Sequence, residues 1–308
     1  MARPEIVPFA DEHLDHAATL LAERHARHRA AEQLLPDTVD FREQISRERE
    51  DGSGVVAVAC GAVVGYLLGR RREDEIGPHA WSDVAGHAVR ETELVRDLYG
   101  AAAARWVEAG LTRHFVSVPA LPELVDPWFR LSFGASAALA MRETAPFPAS
   151  ESDVVIRDGQ PADTEAAARL ELAIVESMLP SPSFSYREPQ SLEAEMEEWG
   201  VVWKEPDSHK LFVAERHGRV VGHLLLWRRP PDLRVPVDGI DLTGASTEPA
   251  LRGSGIGLAL THHAIAWAHE HGYPTMTTDW RMTNLLASRF WPRRGFHETF
   301  LRLYRSIP

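Results

Sequence analysis

A single cysteine in 308 residues, Cys60, excludes an internal disulfide, and its place in the apolar run from Val55 to Cys60 predicts a buried thiol rather than a nucleophile. No stretch approaches the ~20 consecutive apolar residues that cross a bilayer, and the N-terminal segment lacks the apolar core of a signal peptide. A soluble, cytoplasmic protein is the expectation. The sequence contains no G-x-x-x-x-G-K-[ST], no C-x-x-C and no G-x-S-x-G, which removes P-loop, zinc-ribbon and serine-hydrolase readings. Positive charge is also short: 33 Lys and Arg stand against 45 Asp and Glu, for a formal net charge of −12 and a pI near 5.7. That balance argues against nucleic acid or an anionic membrane as partner; it favours cationic substrates, or serves solubility alone. The pairs His13/His16 and His25/His28 have helical i,i+3 spacing, yet no carboxylate or cysteine completes a metal set. They are expected on a solvated face, with no metal, while His262 and His263 point to different faces.

What is present concentrates in the second half. Gly239 to Ala245 reads as a strand, and about Gly257 to His271 as a helix with Ile256, Leu260, Ala264 and Trp267 at helical spacing, stopped by Gly272. Between them stands Thr247-Glu248-Pro249-Ala250-Leu251-Arg252-Gly253-Ser254-Gly255-Ile256-Gly257. Without Cβ atoms at Gly253, Gly255 and Gly257 the turn can be tight, with its N–H groups converging on one anion at the positive end of the helix dipole. Arg252 adds a formal charge. Such a loop suits a diphosphate.

The chain also repeats itself. Val55 to Arg72 and Leu211 to Arg229 each read as a hairpin containing Val-Val-Gly, and their Gly65 and Gly222 are 157 residues apart. Phe133-Gly134 and the segment ending in Gly295 repeat with nearly the same offset. Two anchors at one spacing imply a duplicated domain. The halves meet near Glu143 to Asp153, around Pro146 and Pro148, giving expected domains at 1–145 and 152–308. Strands and helices alternate irregularly in each half, as in an α/β fold with a mixed sheet.

The glycine loop Arg252-Gly253-Ser254-Gly255-Ile256-Gly257 resembles motif A (R/Q-x-x-G-x-G/A) of the GNAT acyltransferase superfamily, and Pro249 is a common companion of it. Asn284-x-x-Ala287-x-x-Phe290-Trp291-x-x-x-Gly295-Phe296 resembles that family's second signature. Together they span residues 239 to 305. The resemblance implies two tandem GNAT-like domains, with the N-terminal one degenerate. Where the second half has its loop, the first has Val89 to Gly100, without G-x-G and with Glu91 and Glu93 at the helix start, where carboxylates repel a diphosphate. It implies acetyl-CoA as co-substrate, bound once per chain by Arg252, Gly253, Ser254, Gly255, Ile256 and Gly257. The backbone of Ala245, Ser246 and Thr247 would take the pantetheine arm beside a splayed neighbouring strand at Pro274 to Trp280, and Asn284 would touch the same arm or cap its helix.

The implied reaction is N-acetylation of a small-molecule amine by direct attack. A non-catalytic CoA-binding module and a protein or peptide N-acetyltransferase are the alternatives. The family's usual tyrosine acid is replaced by Trp291, whose indole has no useful acidity; another group, water or the product ammonium would protonate the thiolate. Candidate general bases are Asp241, Asp279 and Glu248, with His223 on the hairpin beside them. Met178, Phe184, Tyr186, Trp199 and Trp203 fall where the family builds its acceptor wall, or serve as core. No nucleic acid, membrane or metal is implied, and the acceptor amine is not identified by these residues.

Overall fold

The computed structural model describes residues 4–49, 52–74, 76–148 and 153–308. Part of the expected linker, 149–152, lies outside the described residues. The chain divides into two compact units: Met1–Leu139 with Asp232–Arg234 and Glu298–Pro308, and Ala140–Pro231 with Val235–His297.

The first unit begins with β1 (Glu5–Pro8) and helices α1 (Leu14–Ala31) and α2 (Phe41–Arg49), followed by β2 (Gly52–Ala59), β3 (Ala62–Asp74), β4 (Gly77–Ser82) and β5 (His87–Val89). Helix α3 (Leu94–Glu108), β6 (Arg113–Pro119), α4 (Pro122–Phe129) and the start of β7 (Gly134–Glu143) complete its sequence-contiguous part. Strands run in the order β1-β2-β3-β4-β6, and next to β6 lies β13 (His297–Ser306). β13 pairs antiparallel with β6 from Phe300↔Pro119 to Ser306↔Arg113. That ladder is why the residues from Glu298 onward join this unit although they fall in the second half of the sequence. Helix α3 covers one face because Leu94, Val95, Leu98, Tyr99, Ala102 and Trp106 recur at helical spacing and meet Val116, Val118 and Leu303.

Two expectations change here. Cys60 is exposed, not buried, because the β2–β3 hairpin turns at Cys60 (φ 50°) and Gly61 (φ 78°), beyond the apolar run. His25 and His28 are buried rather than solvated: His25 Nε2 lies 2.7 Å from Pro36 O, and His28 packs edge-on against Phe300. The apolar stripe of α1 includes them because Leu14, Ala17 and Leu21 share their helical phase. His16 is exposed as expected.

The second unit repeats the plan. β8 (Val155–Asp158), α5 (Thr164–Met178), α6 (Leu192–Lys204), β9 (His209–Arg216), β10 (Arg219–Trp227), β11 (Ile240–Thr247), α7 (Ile256–Glu270), β12 (Thr275–Arg281) and α8 (Leu285–Phe290) follow one another. The strand order is β12-β11-β10-β9-β8. β11 and β12 are parallel and the other pairs antiparallel, so the sheet is mixed. α5 and α6 close on one face around Ala167, Ala168, Trp199, Val202, Leu211 and Val213. α7 buries Ile256, Ala259, Leu260, Ala264 and Ile265.

The duplication is visible residue by residue. Gly65 and Gly222 occupy the same hairpin position, opposite Val89 of β5 and Thr247 of β11. By the same count His87, opposite Leu67, is the counterpart of Ala245, opposite Leu224.

Candidate active site

β11 is where the second unit opens. Its ladder to β12 covers only Ile240–Leu242 with Met276–Thr278, although both strands continue. The cause lies on the other edge: β10 opposes Leu225 with Gly244 and Leu226 with Leu242, so Thr243 is an extra residue, a bulge that bends β11. From Thr243 to Thr247 the strand diverges from β12, and its backbone on that side is left for another partner. An unpaired extended strand is a ready template for an extended ligand.

The loop that follows is shaped by its glycines. Gly253 and Gly255 hold φ of 87° and 90°, the left-handed region that residues with a Cβ avoid, and Gly255 is the N-cap of α7. The first helical N–H to be taken belongs to Ala259, which donates to Gly255 O at 2.9 Å. The N–H groups of Ile256, Gly257 and Leu258 therefore stand in the first turn, ahead of any intrahelical acceptor. At Gly257 a Cβ would sit 3.6 Å from Thr247 Oγ1 and 3.7 Å from the Phe290 ring, so strand, loop and α8 converge there.

These elements enclose a cavity of about 480 Å³. Its wall contains Ala245, Ser246, Thr247, Arg252, Gly253, Gly255, Ile256, Gly257 and Asn284, which is the expected cofactor set apart from Ser254. Ser254 turns its hydroxyl to Leu251 O. Asn284 caps α8, its side chain accepting from the N–H groups of Leu286 and Ala287 while it lines the cavity. The fit to a diphosphate with an extended arm is thus one of donors and space: free first-turn N–H groups, Arg252, and an unpaired strand.

Asp241, Asp279 and Glu248 are not on this wall. Asp241 accepts a hydrogen bond from Thr277 Oγ1 across the β11–β12 ladder, and Asp279 is exposed on β12. Glu248 pairs with Arg219 at 2.7 Å. His223 is on the wall. It is fully buried on β10, opposite Ser246, with the Trp199 ring edge-on at 4.9 Å, and neither ring nitrogen has a hydrogen-bond partner. Burial pushes its pKa down to about 4, so the ring is neutral. Its Nε2 lies 3.9 Å from Glu171 Oε2 on α5. Burial, and then the carboxylate of Glu195, push Glu171 up to about 7.

Sequence reasoning did not single out Glu171 or Arg294. Arg294 lines the cavity with its guanidinium 4.1 Å over the Phe290 ring. No local motif marks either: Arg294 comes to the cavity wall from the turn after α8, and Glu171 stands on α5 beside His223. Trp291 also faces the cavity and packs edge-on against Phe290 and Phe296. Of the aromatic wall, Trp199 is buried against His223 and Trp203 donates to Thr164 Oγ1 at 2.8 Å, whereas Phe184 and Tyr186 are 71% and 53% exposed.

The equivalent place in the first unit is closed. Arg24 of α1 is buried and donates to the carbonyls of Val84 and His87, the latter being the counterpart of Ala245. Aligning the helical turns that begin at Asp11 and Pro161 makes Ile174, on the cavity wall, the counterpart of Arg24. A void of about 10 Å³ remains beside Arg24, His87, Thr92 and Trp128. Among the described residues no group of three or more His, Cys, Asp or Glu is arranged to hold a metal, and no helix is long and apolar enough to cross a membrane.

Residues 174–296 match the sequence model of the acetyltransferase (GNAT) family. No curated protein matches the chain by sequence. Among solved structures, a GCN5-related N-acetyltransferase from Sphaerobacter thermophilus aligns with a TM-score of 0.64 at 17% identity, covering 98% of this chain and 95% of that one. A tandem GNAT protein from the clavulanic acid biosynthesis pathway aligns at 0.55 and 12%, covering 99% and 98%. A GNAT-family acetyltransferase from Colwellia psychrerythraea aligns at 0.53 and 12%, covering 99% and 100%. At these identities the likeness is one of fold, and it extends over both halves.

Proposed function

We propose, on the premise that residues 174–296 are a GNAT-family acetyltransferase domain in a chain with the tandem GNAT fold, that this protein transfers an acetyl group from acetyl-CoA to an amine of a small molecule. The observation that carries the reading is the meeting, in one cavity, of the unpaired β11 stretch and the glycine loop at the start of α7. Ile256–Leu258 N–H groups and Arg252 would hold the diphosphate, and the Ala245–Thr247 backbone would hold the pantetheine arm. The bound thioester supplies the activated acyl group. The chain's own part is to fix that carbonyl in reach of the amine, exclude water, and receive the ammonium proton.

The route is direct attack without an acyl-enzyme. Cys60 lies in an exposed hairpin turn of the first unit and does not line the cavity of the second. Trp291 leaves the departing thiolate without a protein acid at the position the family uses, so water or the product ammonium returns the proton. We place one acetyl-CoA per chain, because Arg24 occupies the carbonyls that would serve a second.

The test is release of free thiol from acetyl-CoA over a panel of amines, beside calorimetry with CoA. Turnover with small amines supports the reading. Measurable CoA affinity without turnover would favour a CoA-binding module, and turnover on peptides alone a peptide acetyltransferase.

A further inference from the structure

The cavity wall includes a side chain whose state the fold does not explain: His223, fully buried, with neither ring nitrogen hydrogen-bonded. A buried imidazole without partners loses its hydration for nothing in return, unless a ligand restores the bonds. Behind it on α5 stands Glu171, one helical turn before Ile174 of the cavity wall and therefore on the same face of the helix. The charged groups that face Glu171 are Glu195 and Glu198 of α6 and Arg187 of the α5–α6 connection, with Gln190 holding the Glu195 carboxylate at 2.9 Å. Three carboxylates to one guanidinium set a negative field behind His223, which favours a cation at the ring. Ser246 of β11, opposite His223, adds no charge and turns its hydroxyl to Leu170 O.

We propose that Glu171 and His223 form the site for the acceptor's ammonium group, with His223 touching the nitrogen and Glu171 the final holder of its proton. This rests on the transferase reading above. The proton leaves the ammonium for one ring nitrogen of His223 while the proton on the other ring nitrogen passes to Glu171. The ring ends neutral in its second tautomer, the carboxylate ends as a carboxylic acid, and the amine lone pair is free to attack. A carboxyl that titrates near neutrality is matched to that task, whereas His223 alone, held neutral well below its ordinary range, would be a poor final base. The acceptor class that follows is a primary amine that arrives as a cation.

The experiment is the pH profile of kcat/KM for thiol release from acetyl-CoA, with wild type, Glu171→Gln and Glu171→Asp, on whichever amine of the panel wild type uses fastest. CoA calorimetry and thermal melts are run on each variant. Wild type is expected to show an ascending limb with an apparent pKa near 7. Glu171→Gln is expected to lose that limb and about 100-fold or more in kcat/KM, with CoA affinity and melting unchanged within twofold and a few degrees. Glu171→Asp should restore part of the rate and the limb. A Glu171→Gln variant that keeps the limb, or that loses CoA affinity in parallel with rate, overturns the assignment alone. A wild type that binds CoA yet releases thiol with no amine at any pH overturns the transferase reading itself.

Discussion

Gly255→Ala separates the backbone cost of the loop from its role in binding. Nothing lies within 4 Å of a Cβ built at Gly255, so the substitution meets no steric obstacle in the folded protein. Its cost is conformational: at φ 90° a residue with a Cβ is strained by about 1–2 kcal/mol. For a unit of this size that lowers the melting temperature by roughly 2–4 °C per kcal/mol. Gly218 is the control, since it holds φ 75° in the β9–β10 turn, also with open space around its Cβ. Both alanine variants should lose similar stability. Only Gly255→Ala should lose CoA, because relaxing φ at the N-cap re-aims the first-turn N–H groups. Disturbing one or two hydrogen bonds to a charged group, at roughly 1.5–3 kcal/mol each, corresponds to about 10-fold or more in affinity. Calorimetry with CoA and scanning melts read the two quantities separately. A Gly255→Ala protein that binds within twofold of wild type, or a Gly218→Ala protein that loses affinity equally, would refute the claim that this loop binds through its backbone.

Glu91→Ala, at the first unit's counterpart of the loop, should leave calorimetric stoichiometry at one CoA per chain, because Arg24 and not Glu91 closes that cleft. Arg24→Ala should destabilise the protein in urea by about 2 kcal/mol or more, since it orphans the Val84 and His87 carbonyls; an unchanged midpoint would mean those bonds contribute nothing. Burial, with the Asp83 carboxylate adding to it, raises the pKa of Glu48 from 4.5 to about 7, so the folded state holds this proton more tightly than the unfolded chain. The associated stability is complete below about 4.5 and lost as pH rises through about 7. Glu48→Gln is therefore expected to gain in urea midpoint over wild type at pH 8 and not at pH 4.5, and equal gains at both would disprove the shift.

The glycine loop was legible because its requirement is local: a positive φ at Gly253 and Gly255 can be read from residue type alone. The bulge was legible only by resemblance, since nothing in Leu242-Thr243-Gly244 announces that Thr243 has no partner on β10. Glu171 was invisible for a different reason. Its role depends on α5 laying one particular face over β10, and in sequence it is one carboxylate among many on amphipathic helices. Asp241 and Asp279 attracted attention by their place on the central strands, yet Asp241 sits in the paired part of β11 and Asp279 is exposed on β12, and neither is on the cavity wall. The degeneracy of the first half was read from Glu91 and Glu93, while the structure locates the closure at Arg24, far from them in sequence.

The β6–β13 ladder orders events during synthesis. Pro119 meets Phe300 only after some 180 further residues have left the ribosome, which takes on the order of 10–40 s at ordinary elongation rates. Throughout that interval the β6 edge, Arg113 to Pro119, presents unpaired backbone to its surroundings. A fragment ending at residue 145 would keep that edge open permanently, and should be recovered as aggregate or held by chaperones, whereas adding back a peptide of residues 297–308 in trans should restore solubility. The last strand thus acts as a latch, and maturation of the N-terminal unit is timed by translation of the C-terminal one.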